Sequence, residues 1–526
     1  MSSFSRTTRL LMAGTASLFL ASCDGADSVA SPGEGVIVAP GGGSTPTPTP
    51  TGTPTPTAGT PAASCPSGFD DGGIVGNFRG CRIPTVVRSS LTLAKLPGVA
   101  YEINGQVDVG IDIGGDGTRS GGTRVDLTIQ PGVIVYANTT NANNDFLVVN
   151  RGSRLLAEGT AALPIIFTAQ QNLTGGVTDE SQGLWGGIIM AGRAPISNCN
   201  TTVAGGSATC ENIVEGTTTA LYGGANASDD SGTVRYVQIR YSGTVISPNN
   251  ELQGLTLGGT GSGTTIDHVQ VHNSSDDGIE VFGGRTNMKY LALTGSDDDG
   301  LDTDVGWQGF VQFVLAIQKP TNTQTDNYST EIDSNGNEDA LPRQRYNLAN
   351  FTFVSTSTAT NAAIRLRGGA DARFINGIVT GPTACLNIVA GIDASGKSTI
   401  RPASTTLDDL GPPVFSSVVF GCPTSYAETT VNGITVTAAE QAAVFTAGTN
   451  NTASATGILT GTYLPAGVAS TTTPFAASTI NSFFVNTTFI GAVSGPNDTS
   501  FSGWTCNSNR ASFGSTSGSC TSLPTG

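Results

Sequence analysis

Apolar side chains recur at every second position over short stretches of this chain, and the stretches seldom exceed six residues. They are rich in β-branched residues and broken by Gly, Asn and Asp, which is the pattern of strands joined by tight turns. An early block reads LTIQPGVIVYA at 127–137, FLVVNRGSRLLAEGTAALPIIFTA at 146–169 and GLWGGIIMAGRAPI at 183–196. Further on, Gly-centred phrases align as GLTLGG at 254–259, GIEVFGG at 278–284, GLDTDVG at 300–306 and AIRLRGG at 363–369. Second strands follow them: TIDHVQV at 265–271, NMKYLAL at 287–293, GFVQFVLAI at 309–317 and FTFVSTS at 351–357. A period of two turns Leu255, Ile279, Leu301 and Ile364 inward, and their neighbours Thr256, Glu280, Asp302 and Arg365 outward. Helical periodicity predicts a single short helix, AAEQAAVFTA at 438–447, lying over a loop. Residues 425–480 read as a loop-rich insertion ahead of a last coil near Phe483–Val493.

The phrase DDGIEVFGG at 276–284 returns as DDGLDTDVG at 298–306, an offset of 22 residues. That offset is about one coil of a parallel β-helix, whose rungs stack roughly 4.8 Å apart. A β-propeller blade needs about 40 residues and four antiparallel strands, so the repeat favours the solenoid. The fold class predicted is therefore all-β, a right-handed parallel β-helix. Stacking makes outward residues into columns: Glu280, Asp302, Glu331 and Arg365 in one, and Phe282, Asp304, Asp333 and Arg367 two positions along. Placing Glu331 and Asp333 depends on the register across an insertion at 319–330, where a slip of one residue would turn both inward.

Composition narrows the setting. Net charge is −16 with only 24 Lys and Arg, which argues against nucleic acid and against acidic lipid surfaces. Charged residues make up 12% and Gly numbers 70, the profile of an extracellular β-rich chain. The N-terminus has the form of an export leader, with Arg6 and Arg9 before an apolar run from Leu10 to Leu20. Residues 24 to about 62 lack large apolar side chains and contain TPTPTPTGTPTPT at 45–57, which favours extended polyproline II and a disordered stalk. The predicted organisation is a leader at 1–22, a linker at 23–62 and the β-helix with a loop-rich C-terminal part at 63–526. Apart from Cys23 there are eight cysteines: Cys65, Cys81, Cys199, Cys210, Cys385, Cys422, Cys506 and Cys520. Taken in consecutive pairs they lie 16, 11, 37 and 14 residues apart, which points to four local disulfides in an oxidising compartment.

Stacked carboxylates repel unless something neutralises them, and a hard cation such as Ca²⁺, which accepts six to eight oxygens, suits the ladder Glu280, Asp302, Asp304, Glu331 and Asp333. The DDG and NG phrases also serve tight corners, because Asp and Asn cap exposed backbone groups. Arg365 and Arg367 would then simply neutralise the acidic rows. His268 and His272, four apart on a strand, read as outward or corner residues. Trp185, Trp307, Trp504, Tyr236, Tyr241 and Tyr290 read mainly as core or stacked rings, with Trp307, just past the acidic row, singled out as a platform for a sugar.

The stretch Leu20-Ala21-Ser22-Cys23 resembles the lipobox of bacterial lipoproteins, which implies cleavage before Cys23, its lipidation and a membrane anchor. The phrases PIIFTA, GLWGGIIMAGRAPI and DDGIEVFGG are similar to those of bacterial β-helical lipoproteins with pectin-lyase-like architecture. TIDH at 265–268 resembles the WIDH motif of pectate lyases, with its Trp missing. That resemblance implies carboxylates as Ca²⁺ ligands and Arg365 or Arg367 as the base of a polysaccharide lyase. Polygalacturonase-like hydrolases of this architecture use paired aspartates, here Asp276-Asp277 and Asp297-Asp298-Asp299, but their GHG and RIK patterns are missing. The resulting expectation is a lipid-anchored protein of the cell envelope, in the periplasm or at the outer-membrane surface, that binds a glycan or an envelope protein partner. The alternatives are a Ca²⁺-dependent lyase or glycoside hydrolase acting on an acidic glycan, and a structural or adhesive surface protein.

Overall fold

A computed structural model describes residues 59–140, 144–247, 250–321, 324–334, 336–391 and 396–525. The expected leader, Cys23 and the linker as far as residue 58 lie outside the described residues.

The central coils alternate short and long strands: β1 Leu255–Gly258, β2 Thr265–His272, β3 Ile279–Phe282, β4 Asn287–Thr294, β5 Leu301–Asp304, β6 Gln308–Ile317, β7 Thr330–Ile332, β8 Arg345–Val354, β9 Ala362–Leu366, β10 Asp371–Thr380 and β11 Ala384–Ile388. Odd-numbered strands pair in parallel with one another and belong to an 11-stranded sheet, and even-numbered ones belong likewise to a 15-stranded sheet. This is a parallel β-helix. Leu255, Ile279, Leu301, Thr330, Ile364 and Leu386 form one column. All but Thr330 belong to the hydrophobic interior, where full burial of each such aliphatic side chain is worth about 1.5–3 kcal/mol. Thr330 satisfies its hydroxyl by donating to Leu301 O at 2.7 Å. The insertion at 319–330 therefore preserves the register, and Glu331 stands beside Asp302 and Arg365 as expected.

Early coils carry three separate strands, such as Asp126–Ile129, Ile134–Ala137 and Phe146–Val149. From Gly232–Arg240 onward the first two merge into one long strand. The bend between its halves is made at one residue with positive φ: Tyr236, His268, Tyr290, Phe313, Asn350, Asn376 and Ser417. These residues fall in the single gap that interrupts each parallel register. Alternation restarts after the bend, so Val269 and Val271 enter the interior while Gln270 and His272 face outward. His268 is thus a corner residue, and His272 is outward but buried beneath later chain.

That later chain corrects two expectations. Phe483–Val493 is not a coil. Residues 448–525 run back over the outside of the long sheet, with Ala492, Val493, Phe501, Trp504 and Phe513 packed on Phe313, Leu315 and Ile317. Backbone groups of this strap are held by side chains of the sheet: Gln312 donates to Val485 O at 2.7 Å, Gln238 to Trp504 O at 2.7 Å and Arg240 to Cys520 O at 2.8 Å. The helix Ala438–Thr446 forms as predicted, started by a reciprocal Thr437–Glu440 capping box. It closes the end of the interior instead of covering a loop, since Phe445 stacks on Phe420 at 4.3 Å. Four disulfides join the cysteines in consecutive pairs, Cys65–Cys81, Cys199–Cys210, Cys385–Cys422 and Cys506–Cys520.

Candidate functional site

The corners that lead into β3 and β5 carry the repeated DDG. Gly278 and Gly300 stack so closely that a Cβ on Gly278 would meet Gly300 O at 2.6 Å, and one on Gly300 would meet Ser329 O at 2.7 Å. No other residue fits, so the preceding aspartates also stack. Asp277 Oδ1 accepts from Asp299 N at 2.7 Å, and Asp299 Oδ1 in turn accepts from Tyr328 N. Corner capping therefore accounts for one oxygen of each. It does not account for their number.

Asp276, Asp277, Asp298 and Asp299 rise at the end of the column formed by Glu280, Asp302 and Glu331. Facing them are Glu215, from the long loop stapled by Cys199–Cys210, and Glu251, from the hairpin Thr244–Ser247 and Asn250–Leu252. The two loops are tied where Gly216 N donates to Asn250 Oδ1 at 2.7 Å, and Gln253 Nε2 donates to Glu215 Oε1 at 2.6 Å. Together these elements enclose a pit of about 150 Å³. Among the described residues its walls are Glu215, Glu251, Asp276, Asp277, Glu280, Asp298, Asp299, Asp302, Asp326 and Glu331, joined by Gln253 and Arg367.

The outward ladder was expected on an open wall, but Glu280 is only 7% exposed. The loop between the early coils covers this face through Ile196, Val214 and Tyr222, which pack on Phe282 and Val305. Burial above all, and then the neighbouring carboxylates, push Asp276, Asp277, Glu280, Asp298, Asp299, Asp302 and Asp304 well above the ordinary carboxylate range. Glu215 is pushed up to about 7, by burial first and Glu251 second.

The ladder divides in two. At one end the arginines take up Glu331 and Asp333: Arg367 Nε lies 2.5 Å from Glu331 Oε1 and 2.9 Å from Asp333 Oδ2. Arg365 Nε is 3.5 Å from Glu331 Oε1, and Arg365 also pairs with Asp326 and donates to Tyr328 Oη at 2.5 Å. Burial alone would lower both guanidinium pKa values, but Glu331 and its neighbours more than offset it and hold both above the usual arginine range. A proton-abstracting arginine needs the opposite environment. At the other end, Asp277, Glu280 and Asp302 each bring one oxygen within 4.8 Å of the other two. Glu280 Oε2 and Asp302 Oδ1 are buried without a hydrogen-bond partner among the described residues. Asp304, although buried, accepts from Val305 N at 2.6 Å and lies outside that trio.

The oxygen-only donor set fits a hard cation and not a soft one. Two ligands on opposite sides of Ca²⁺ are separated by about 4.6–5.2 Å, twice the usual bond of about 2.3–2.6 Å, and the 4.8 Å limit is compatible with that span.

Trp307 is not a sugar platform. It is 0% exposed, its indole donates to Thr286 O at 3.1 Å, and it meets Tyr346 edge-on in the interior. Its place at a corner, directly after Gly306, leaves it outside the period-two rule that assigned the strands. Trp185 and Trp504 are buried too, and Tyr236 and Tyr290 form a stack through His268. Glu215 and Glu251 escaped the sequence reading because they stand on loops without a repeat. The DDG corners did carry a signal, the 22-residue return of both aspartates, which was assigned to turn chemistry or to the paired aspartates of a hydrolase and not to the ladder.

No curated protein and no solved structure matches the chain. The family model for the pectate-lyase-like β-helix domain matches residues 115–465, more than half the chain, and spans the coils that build the pit. Parallel rungs, their continuous register and this match together show that the chain belongs to the pectate-lyase-like β-helix domain family.

Proposed function

We propose that this protein works outside the cytoplasm as a cation-dependent binder of acidic glycans, with Asp277, Glu280 and Asp302 as the ligands of a divalent cation, Ca²⁺ by preference. The observation that carries this reading is the pair of buried carboxylate oxygens, Glu280 Oε2 and Asp302 Oδ1, that face other carboxylates and have no hydrogen-bond partner among the described residues. A buried charge of that kind demands a counter-charge or a proton. Bound Ca²⁺ would supply positive charge and coordination positions for a uronate carboxylate. The chain's own residues supply the rest: stacked rungs fix the carboxylates, and Arg365 and Arg367 keep Glu331 and Asp333 engaged at the far end. Membership of the pectate-lyase-like β-helix family supports a glycan as the ligand. Four disulfides support an oxidising compartment, and anchoring through a lipidated Cys23 belongs to the same proposal.

The test is retention of the protein on immobilised polygalacturonate in Ca²⁺ and in EDTA, with ultraviolet absorbance followed for unsaturated product. Retention in Ca²⁺ alone, lost in Glu280→Gln/Asp302→Asn and without product, is the expected result. Equal retention in both buffers, or none, removes the reading, and product formation would replace binding by a lyase. Anchoring is read separately, from incorporation of labelled palmitate by the wild type and not by Cys23→Ala.

A further inference from the structure

A second set of carboxylates in the pit comes from three separate segments. Glu215 stands on the stapled loop, Glu251 on the hairpin that precedes β1, and Asp276 on the corner before β3. One oxygen from each lies within 4.8 Å of the other two. We propose that Glu215, Glu251 and Asp276 form a second divalent-cation site, which clamps both loops onto the solenoid. The proposal rests on the reading of the pit as a cation centre and extends it from holding a ligand to controlling the wall of the pit.

Three observations support it. Asp276 is buried beside the half-buried Glu251 and Glu215, so this trio is anchored by a carboxyl group held out of bulk water. Glu280, with its unpartnered buried Oε2, stands between the two trios, with its carboxyl group directed at Glu215. Glu215, on the stapled loop, meets that carboxyl group with a carboxyl of its own. Among the described residues, the one guanidinium lining the pit, Arg367, is already held by Glu331 and Asp333. The loops are joined to each other and to β1 through uncharged donors: Gly216 N to Asn250 Oδ1 at 2.7 Å, Gln253 Nε2 to Glu215 Oε1 at 2.6 Å, and Thr256 Oγ1 to Gln253 Oε1 at 2.7 Å. Those bonds place Glu215 and Glu251 against Asp276. A third trio, Asp276, Asp277 and Asp298, uses one residue from each of the other two. It joins the sites into one row, so at least two ions are expected.

Equilibrium dialysis with radioactive Ca²⁺ on the full chain counts the ions, and hydrogen exchange of residues 214–217 and 244–253 reports the loops. The wild type is expected to bind at least two ions and to slow exchange in both loops by tenfold or more when Ca²⁺ is added. Glu215→Gln/Glu251→Gln should bind one ion fewer and lose that slowing. Glu280→Gln/Asp302→Asn should lose a different ion and keep it. Unchanged stoichiometry in Glu215→Gln/Glu251→Gln, or loops in the wild type indifferent to Ca²⁺, overturns the clamp. If instead only Glu280→Gln/Asp302→Asn binds as the wild type does, the clamp stands and the inner site fails. Single Gln variants at 215 and 251, which remove repulsion and keep shape, guard against loss from misfolding.

Discussion

Glu280 and His272 lie on neighbouring coils, one on each sheet, and both are buried titratable groups whose usual partner is missing or is a hydroxyl. Replacing Glu280 by Gln removes a repelled charge, so its melting temperature in EDTA should equal or exceed that of the wild type, while its response to Ca²⁺ shrinks. A variant that melts lower in EDTA and still gains from Ca²⁺ would contradict that assignment. His272 donates or accepts at Thr294 Oγ1, 2.9 Å away, and its Nε2 has no partner among the described residues. Burial first, then Arg240, Arg510 and Lys319, lower its pKa to about 3. The unfolded chain protonates this ring near its ordinary pKa of about 6.5 and the folded chain does not. Stability is thus intact above that value and falls, on account of this group, by about 1.4 kcal/mol per pH unit between about 6.5 and 3. Denaturant unfolding at several pH values, wild type against His272→Gln, should show a gap that closes by that slope, and parallel curves would refute it. Trp307→Ala should cost about 3–5 kcal/mol as a large-to-small core change, where a surface platform would cost almost nothing. Which side Trp307 faces was not legible, because in-and-out alternation applies inside strands and not at corners such as Val305–Gly306.

At the scale of elements, the legible features were those with a period. Leu255, Ile279, Leu301 and Ile364 were placed by alternation and the 22-residue return, and the register held through the 319–330 insertion because Glu331 and Ile332 resume the pattern of Asp302 and Thr303. The bend residues were not legible. Tyr236, His268, Tyr290, Phe313, Asn350, Asn376 and Ser417 share a left-handed backbone and no side-chain type. What unites them is tertiary: four of the rings stack at 4.3–4.6 Å, and the two asparagines hold the strap. Asn376 donates to Phe475 O at 3.0 Å and accepts from Phe475 N at 2.7 Å. Asn376→Ala loses both bonds and forces a Cβ residue without a local hydrogen bond into the left-handed region, for a loss of about 2–3 kcal/mol. Asn376→Gly should recover about 1 kcal/mol of that in equilibrium unfolding, since glycine adopts the bend freely. Equal losses for both variants would show that the bend itself is unstrained.

For the whole molecule, a solenoid turns distance along the chain into proximity on a face, and this chain uses that geometry to collect negative charge. Part of the pit was therefore visible as a repeat, namely Glu280, Asp302 and the DDG corners. The part that closes it was not, since Glu215 and Glu251 arrive on loops whose path follows from the Cys199–Cys210 staple and from packing on Phe282. The same covering loop explains why an outward column became a buried one. The claim on which the functional reading turns is that these carboxylates are met by a divalent cation. Melting of the purified chain in Ca²⁺ and in EDTA tests it most directly. At 100 times its dissociation constant a bound ion contributes about 2.7 kcal/mol, which for a chain of this length corresponds to roughly 2–3 °C per site. A rise of that size in the wild type, diminished in Glu280→Gln/Asp302→Asn, is the predicted result; identical midpoints in Ca²⁺ and EDTA would contradict the account.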